Sequence, residues 1–269
     1  PSRRPEPPAK LARPSGMRLK LTLAYDGACF RGWQSQPGGG SVQDVLQEKM
    51  ASIAGGASVS VQGSGRTDAG VHALGQVAHA DVPGGRGSPR EWQRALNAVL
   101  PPSVRVLACA RVADSFHARY SAAGKIYEYL LWCGPVLPPH MAGRCWHAHP
   151  PPHISLLREA ARALRGAHDF RGFAANRGTP VRDTRRNLAR VAVSRRGDLV
   201  RLRFEGDGFL YKMVRMLVAA MVRVAQGRSD MAALRARLGG AASDLPRGVA
   251  PACGLYLVRV RYPRGAQSG

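Results

Sequence analysis

Acidic residues are scarce in this sequence, and the shortage bears directly on what the protein binds. The 269 residues include 17 Asp and Glu against 40 Lys and Arg, which gives a formal net charge of +23. A compact chain with this excess repels itself unless a polyanion offsets the charge. We therefore expect a nucleic acid as the partner, with RNA and DNA both open at this point. Lysine is rare too, as is typical of a protein from a GC-rich genome. That codon bias explains why Arg outnumbers Lys, but it does not explain why basic residues outnumber acidic ones.

Long apolar runs and paired cysteines are also missing. No stretch of 18 or more apolar residues occurs, which excludes a multi-span membrane protein. The five cysteines are odd in number and include no Cys-x-x-Cys pair, which argues against a secreted disulfide framework. The basic, Pro-rich residues 1–16 have no apolar core of a secretory signal. We expect a flexible tail and a cytoplasmic location; because the sequence starts at Pro1, import of a trimmed organelle precursor stays open.

The periodicity of apolar residues predicts the order β-α-β-β-α-β twice. In the first half it predicts helices at 41–54 and 88–100 and strands at 17–25, 59–62, 75–82 and 104–112. Ser41 with Asp44 matches a capping box at the first helix, and Ser88 with Glu91 provides the N-cap and third position of the second. In the second half it predicts helices at 154–165, 209–226 and 230–238 and strands at 123–133, 187–194, 199–205 and 255–262. This pattern indicates an α+β protein of two ferredoxin-like halves. Their sheets would be largely antiparallel, with helices on one face and an active-site groove between the halves.

The predicted domains follow from this repeat and from the distribution of charge. They are a tail at 1–16, an N-terminal half at 17–115, a C-terminal half at 116–262 and a second tail at 263–269. Residues 158–203 contain 13 Arg against four acidic residues, a net charge of +9. This stretch is a candidate phosphate-binding surface for RNA, and a solvated face is the plainer alternative.

Residues 63–72, GSGRTDAGVH, are the most informative segment for chemistry. Gly63, Gly65 and Gly70 indicate a tight loop with positive φ angles and close backbone approach. A phosphate cradle is disfavoured, because no Lys-Ser/Thr pair follows and the spacing is not that of a dinucleotide-binding loop. On spacing alone, Asp68 fits an Asx-turn or a helix cap better than catalysis.

A second cluster, between residues 133 and 153, could in principle bind zinc. Its spacing follows no common zinc site, so we predict no metal and favour a mobile loop that contacts RNA, with a plain surface loop as the alternative. The potential ligands are Cys133, His140, Cys145, His147, His149 and His153.

Five ordered segments resemble the tRNA pseudouridine synthase A family. The first is residues 65–72, GRTDAGVH, followed by Gly-Gln-Val at 75–77. The others are AYDG with FRGWQSQ within 24–36, FHARYSA before YEY within 116–129, the segment 208–216, and the closing segment 250–257. Together they span residues 17–262, nearly the whole chain.

The resemblance implies an enzyme that isomerises uridine to pseudouridine in the anticodon stem-loop, at tRNA positions 38, 39 and 40. It implies a homodimer with tRNA as partner, no membrane partner, and neither a nucleotide nor another cofactor. Asp68 would be the essential carboxylate. Three routes stay open: addition of the carboxylate to a carbon, stabilisation of an oxocarbenium ion at C1′, or removal of the 2′ proton to give a glycal.

The same resemblance assigns roles around Asp68. Arg66 would hold the flipped base out of the helix, and Tyr127 would stack on the uracil and serve in the proton transfer at C5. A core aromatic is the alternative for Tyr127. Arg215 would pair with Asp68 and keep it ionised, and Leu255 would pack nearby.

Further residues are assigned to substrate binding or to a supporting loop. The predicted substrate-binding residues are Tyr127, Arg31, Lys125 and Lys212. Asp26, Gly27, Trp33 and Gln34 would belong with Arg31 to a loop that faces RNA or supports the site, with a plain core position as the alternative for Trp33.

Three other functions compete with this interpretation. A non-catalytic RNA-binding protein could share the fold, a pseudouridine synthase could act on another RNA, and a nucleotide-dependent enzyme could use the glycine loop. Substitution of Asp68 separates the first from an enzyme, because only an enzyme has base conversion to lose.

Overall fold

A computed structural model describes residues 16–83, 87–175, 183–239, 245 and 248–263. The two predicted tails lie outside these ranges except for Gly16 and Pro263. The chain divides into two compact units, with the divisions after Ala123 and after Leu257; the first unit holds the described residues up to Ala123 and from Val258 onward. Within the described residues it is a mixed α/β protein with five α-helices and mostly antiparallel strand pairing.

The first unit confirms the predicted order β-α-β-β-α-β. Its elements are β1 (Gly16–Tyr25), α1 (Val42–Ile53), β2 (Val61–Gly63), β3 (His72–Pro83), α2 (Pro89–Val99) and β4 (Val104–Arg111). β1 pairs antiparallel with β3 on one side and β4 on the other, and β2 pairs antiparallel with β3. β2 and β3 are therefore neighbours joined by the glycine loop.

Both helices of the first unit begin at a capping box, as the sequence predicts. At α1 the Ser41 hydroxyl accepts from the N–H of Asp44, and the Asp44 carboxylate accepts from the N–H of Ser41. Ser88 and Glu91 repeat the arrangement at α2, with Pro89 in the first turn. Each box gives a hydrogen-bond partner to two backbone N–H groups, those of the N-cap residue and of the third helical residue, that would otherwise lack one.

The core of the first unit follows the alternation of β1. Leu19, Leu21 and Leu23 are fully buried and point to one face of the strand. α1 contacts β2, α2 contacts β4, and the two helices contact each other. Trp92 and Leu96 of α2 are among the buried side chains of this layer. Burial of these apolar groups orders the strands that carry the glycine loop.

The second unit contains β5 (Gly124–Trp132), β6 (Trp146–His147), α3 (Ile154–Ala163), β7 (Gly166–Asp169), β8 (Arg185–Arg196), β9 (Leu199–Gly206), α4 (Met213–Ala225) and α5 (Met231–Leu238). A final strand, β10 (Leu255–Arg261), begins in this unit and continues in the first after Leu257. β5, β9, β8 and β7 pair antiparallel in that order, and β6 pairs parallel with β5. α4 is buried along nearly its whole length and contacts α3 and α5.

Three details of the second unit differ from the sequence prediction. The helix predicted at 209–226 begins only at Met213, because Lys212 adopts a left-handed conformation with φ 57°. β6 and β7 were not predicted, since strands of two and four residues are too short for a periodic pattern. β6 lies in the segment predicted as a loop, where pairing with β5 orders it. Within the described ranges, no helix is both long and apolar enough to cross a membrane.

Candidate active site

The glycine loop is a hairpin connection in which Gly63 stands opposite Ala78. A strand follows the loop, whereas a phosphate loop opens a helix. Gln76 of β3 holds the start of the loop: its Oε1 accepts from Ser64 Oγ at 2.7 Å, and its Nε2 donates to the Gly65 carbonyl at 3.0 Å. Gln76 is completely buried, and its bond to Ser64 is buried with it.

Thr67, just before Asp68, is held from two sides. Its hydroxyl lies 2.8 Å from the Tyr25 hydroxyl, and its carbonyl accepts from the N–H of Trp33 at 3.1 Å. Burial raises the pKa of Tyr25 to about 12, against the smaller opposing effect of hydrogen bonds to Thr67 and Gln76. The Tyr25 hydroxyl therefore stays protonated at neutral pH and keeps its place in the network.

The segment containing Gly27 and Gly32 lies directly against the loop. A Cβ atom on Gly32 would come within 2.7 Å of the Thr67 carbonyl oxygen, and one on Gly27 within 2.2 Å of the Val71 carbonyl oxygen. Gly32 also has φ +89°, a conformation that other residues rarely adopt. Glycine at these positions therefore permits the close backbone contact that fixes the loop.

Asp68 lies in the middle of this braced loop and is partly exposed. A backbone bond from the N–H of Val71 to the Asp68 carbonyl closes the turn, in which Gly70 has φ 78°. Arg66, two residues earlier, is exposed, and its Nε donates to Gln34 Oε1 at 3.1 Å. The loop thus presents a carboxylate and a guanidinium from a backbone that its surroundings hold in place.

The predicted supporting loop has mixed surroundings. Trp33 is 2% exposed and packs its ring against Tyr25, so the core alternative describes it. Gly27 is buried, and Asp26 caps a short 3₁₀ helix through the N–H of Ala28. Arg31 is exposed beside the turn of glycines at 38–40.

The predicted site residues of the second unit lie among its strands and at the start of α4. Tyr127 of β5 is buried, with its ring 5.0 Å from that of Phe209. Arg215 Nε donates to the Ala250 carbonyl at 2.7 Å, and the N–H of Ala250 donates back to the Arg215 carbonyl. Leu255 is buried at the start of β10.

The two predicted lysines lie in the same unit. Lys125 stands opposite Gly206 on β9, and Lys212 precedes α4 with its Nζ 5.1 Å from the centre of the Tyr211 ring. The pairing of Arg215 with Asp68 stays a prediction.

The sequence assigns no role to Gln76, which holds the loop, or to Gln43 of α1, whose Nε2 donates to the Val61 carbonyl of β2 at 2.8 Å. Gln76 appeared only as part of a family segment, and Gln43 of α1 had no assignment. A signal for Gln76 exists, since a polar residue stands in β3 where both neighbours are buried. Gln43 lies on a polar face of α1, and nothing in the helix pattern marks it.

The His- and Cys-rich segment 133–153 uses several of its side chains in local bonds. Cys145 Sγ donates to the Met141 carbonyl, and His147 Nε2 lies 2.9 Å from the Gly134 carbonyl. Across the described part of the chain, no three His, Cys, Asp or Glu side chains come together in a way that could hold a metal ion.

Comparison with known proteins gives a consistent result. The family model described as tRNA pseudouridine synthase matches residues 22–121 and 160–263. The tRNA pseudouridine synthase A of Akkermansia muciniphila is 44% identical over 256 residues, covering 91% of this chain and 95% of the relative. That of Methylacidiphilum infernorum is 41% identical and covers 93% and 97%; that of Geobacillus kaustophilus is 41% identical and covers 91% and 94%.

The similarity to these proteins extends along nearly the whole sequence. It includes the hairpin loop that carries Asp68 and Arg66. The chain belongs to the tRNA pseudouridine synthase family. It is an isomerase that converts uridine to pseudouridine in tRNA.

Proposed function

We propose that Asp68 is the catalytic carboxylate and that the substrates are uridines at positions 38, 39 and 40 of the tRNA anticodon stem-loop. The observation that carries the assignment of Asp68 is its position in a loop fixed by Tyr25, Trp33 and Gln76. Such fixing is what a group needs if it must meet a reacting carbon in one orientation. The turn itself is already closed by a backbone bond from the N–H of Val71 to the Asp68 carbonyl. An Asp that served only to form the turn would therefore not need a loop held by side chains.

The reaction exchanges one glycosidic bond for another without an added reagent. The N1–C1′ bond breaks, the uracil rotates, C5 joins C1′, the proton on C5 leaves and N1 becomes protonated. The carboxylate of Asp68 adds to a carbon of the substrate, stabilises positive charge at C1′, or removes the 2′ proton. Each route requires the base to leave its stack.

The neighbouring residues have complementary roles in this proposal. Arg66 stabilises the flipped state, since a planar guanidinium both stacks on bases and binds phosphate. Tyr127 stacks on the uracil and its hydroxyl serves in the proton transfer at C5, and Leu255 packs beside it. Arg215 keeps Asp68 ionised.

The basic side chains supply the affinity for tRNA. Arg158, Arg162 and Arg165 are exposed on or just after α3. An open cavity of about 540 Å³ beside them is lined in part by Arg162, His168 and Arg235. Phosphate contacts from this surface and from the predicted binding residues would position the tRNA, which is recognised by shape. The binding residues that would contact phosphate are Arg31, Lys125 and Lys212, whereas Tyr127 contacts the base.

The assembly and domain structure complete the proposal. We infer a homodimer that acts in the cytoplasm, where the five free cysteines stay reduced. We infer that both units are ferredoxin-like halves with helices on one face of each sheet. The order β-α-β-β-α-β of the first unit supports this arrangement. Sedimentation of the protein with and without tRNA tests the dimer.

Removal of the Asp68 carboxylate tests the catalytic assignment. We expect Asp68→Ala and Asp68→Asn to lower single-turnover conversion by at least about three orders of magnitude, while tRNA affinity changes little. Tritium release from C5-labelled uridine in tRNA measures the first quantity and filter binding the second. Asp114→Ala changes an exposed Asp of the same unit and should leave both unchanged. Conversion by Asp68→Ala at the wild-type rate would overturn the assignment.

A further inference from the structure

A chain of side-chain amides leads from helix α1 to Arg66. Arg66 Nε donates to Gln34 Oε1 at 3.1 Å, and Gln34 Nε2 donates to Gln43 Oε1 at 2.7 Å. Gln34 and Gln43 are both partly buried, whereas Arg66 is exposed. The most exposed of the three side chains is therefore tied to the two that are partly buried.

Backbone groups fix the direction of this chain. The N–H of Ser35 donates to Gln43 Oε1 at 2.9 Å, and Gln43 Nε2 donates to the Val61 carbonyl at 2.8 Å. The Gln43 oxygen must therefore face residues 34–35, and Gln34 must direct its NH₂ group to that oxygen. The remaining Gln34 oxygen points to Arg66 and needs a donor, which an arginine supplies in every protonation state it adopts in proteins.

The same helix is tied to the strand from which the catalytic loop starts. The N–H of Val61 donates to Gln47 Oε1 at 3.1 Å, and Val61 begins β2. The path from β2 through α1, Gln43 and Gln34 therefore returns to the loop at Arg66. Because both ends of the path are anchored, the bond at Nε restricts the Arg66 side chain before any RNA binds.

We propose that Gln34 and Gln43 are positioning residues that orient the Arg66 guanidinium for its action on the flipped base. The inference rests on the proposed role of Arg66. An exposed arginine samples many rotamers, and a bond at Nε restricts the plane of the guanidinium while leaving the terminal nitrogens directed outward. Orienting the guanidinium stabilises the flipped state and not overall tRNA binding. Loss of the orientation should therefore lower kcat and leave KM nearly unchanged.

Isosteric removal of each amide tests the proposal. We expect Gln34→Met and Gln43→Met to lower kcat about tenfold, the scale of one lost hydrogen bond to a charged group, with KM within about twofold. A 2-aminopurine next to the target uridine in an anticodon stem-loop reports flipping, and its signal should fall in parallel. Gln93→Met is the matched control, since Gln93 likewise joins a helix to strand carbonyls, those of Val106 and Leu107. Thermal melting of each variant monitors folding.

Double substitution distinguishes positioning from a general structural effect. In an Arg66→Ala background, Gln34→Met should cause no further loss; an equal further loss would overturn the proposal. If Arg66→Ala itself converts tRNA at the wild-type rate, the proposed role of Arg66 fails and takes this inference with it. The Asp68 variants test the proposed catalysis separately.

Discussion

Lys212 carries the one positive φ among the non-glycine residues that the structure describes, at 57°. A left-handed conformation costs a residue with a Cβ about 1–2 kcal/mol, and it interrupts the helix predicted from 209. The conformation occurs at a residue assigned to RNA binding, and residues held in sparsely populated conformations cluster at functional sites. The sequence could not predict it, because Lys favours helices and the apolar period runs through this point.

Two substitutions at Lys212 separate the strain from the charge. Lys212→Gly removes both, whereas Lys212→Ala removes only the charge. We expect the Gly variant to be more stable than the Ala variant by about 1 kcal/mol in urea unfolding, with equally weakened tRNA binding. An Ala variant as stable as the Gly variant would show that the backbone here is not strained.

At the scale of elements, the capping boxes explain why the first unit was predicted well. Ser-x-x-Asp at α1 and Ser-Pro-x-Glu at α2 are local signals, and both helices start one residue after the predicted cap. Alternation in β1 is equally local. The bonds that brace the glycine loop join residues as far apart as Tyr25 and Thr67, or Gln34 and Arg66. No periodic pattern encodes such pairs, so the loop could be predicted and its support could not.

The buried box at α1 should contribute more stability than the exposed box at α2. We expect Ser41→Ala to cost about 2 kcal/mol and Ser88→Ala about 0.5–1 kcal/mol, measured by urea unfolding at neutral pH. Equal costs would contradict the importance of burial.

Low pH should reduce the stability that is lost in the Ser41→Ala variant. Burial opposes ionisation of Asp44, but hydrogen bonds from Ser35 and Ser41 together outweigh it and lower the pKa below 3.8. Because the folded pKa is lowered, the stability that this carboxylate contributes is present above the unfolded pKa and is lost as the pH falls through the folded value. The difference between wild type and Ser41→Ala should therefore shrink as the pH falls below 3.8.

At the scale of the whole molecule, the net charge of +23 makes tRNA binding depend on salt. The logarithm of the affinity should fall linearly with the logarithm of the salt concentration, with a slope of about −0.7 to −0.9 per neutralised phosphate. Substituting Arg158 or Arg162 by Gln should each reduce the slope by about that amount. A flat salt dependence of the wild type would show that the basic surface does not hold the tRNA.

Arg203 provides the contrast in the same measurement. It donates to Glu205 and to Glu128, each at 2.8 Å, and the bond to Glu205 is the main reason that its pKa is raised. Its charge is already matched by carboxylates, so Arg203→Gln should leave the salt slope unchanged.

The most direct measurement maps pseudouridine at single-nucleotide resolution in unmodified tRNA transcripts incubated with the protein, with no cofactor added. Wild type should convert uridines at positions 38, 39 and 40, and the Asp68→Ala protein, which still binds the tRNA, should convert none. Conversion only at other positions would contradict the proposed substrate, and conversion by both proteins would contradict the central claim that Asp68 carries the chemistry.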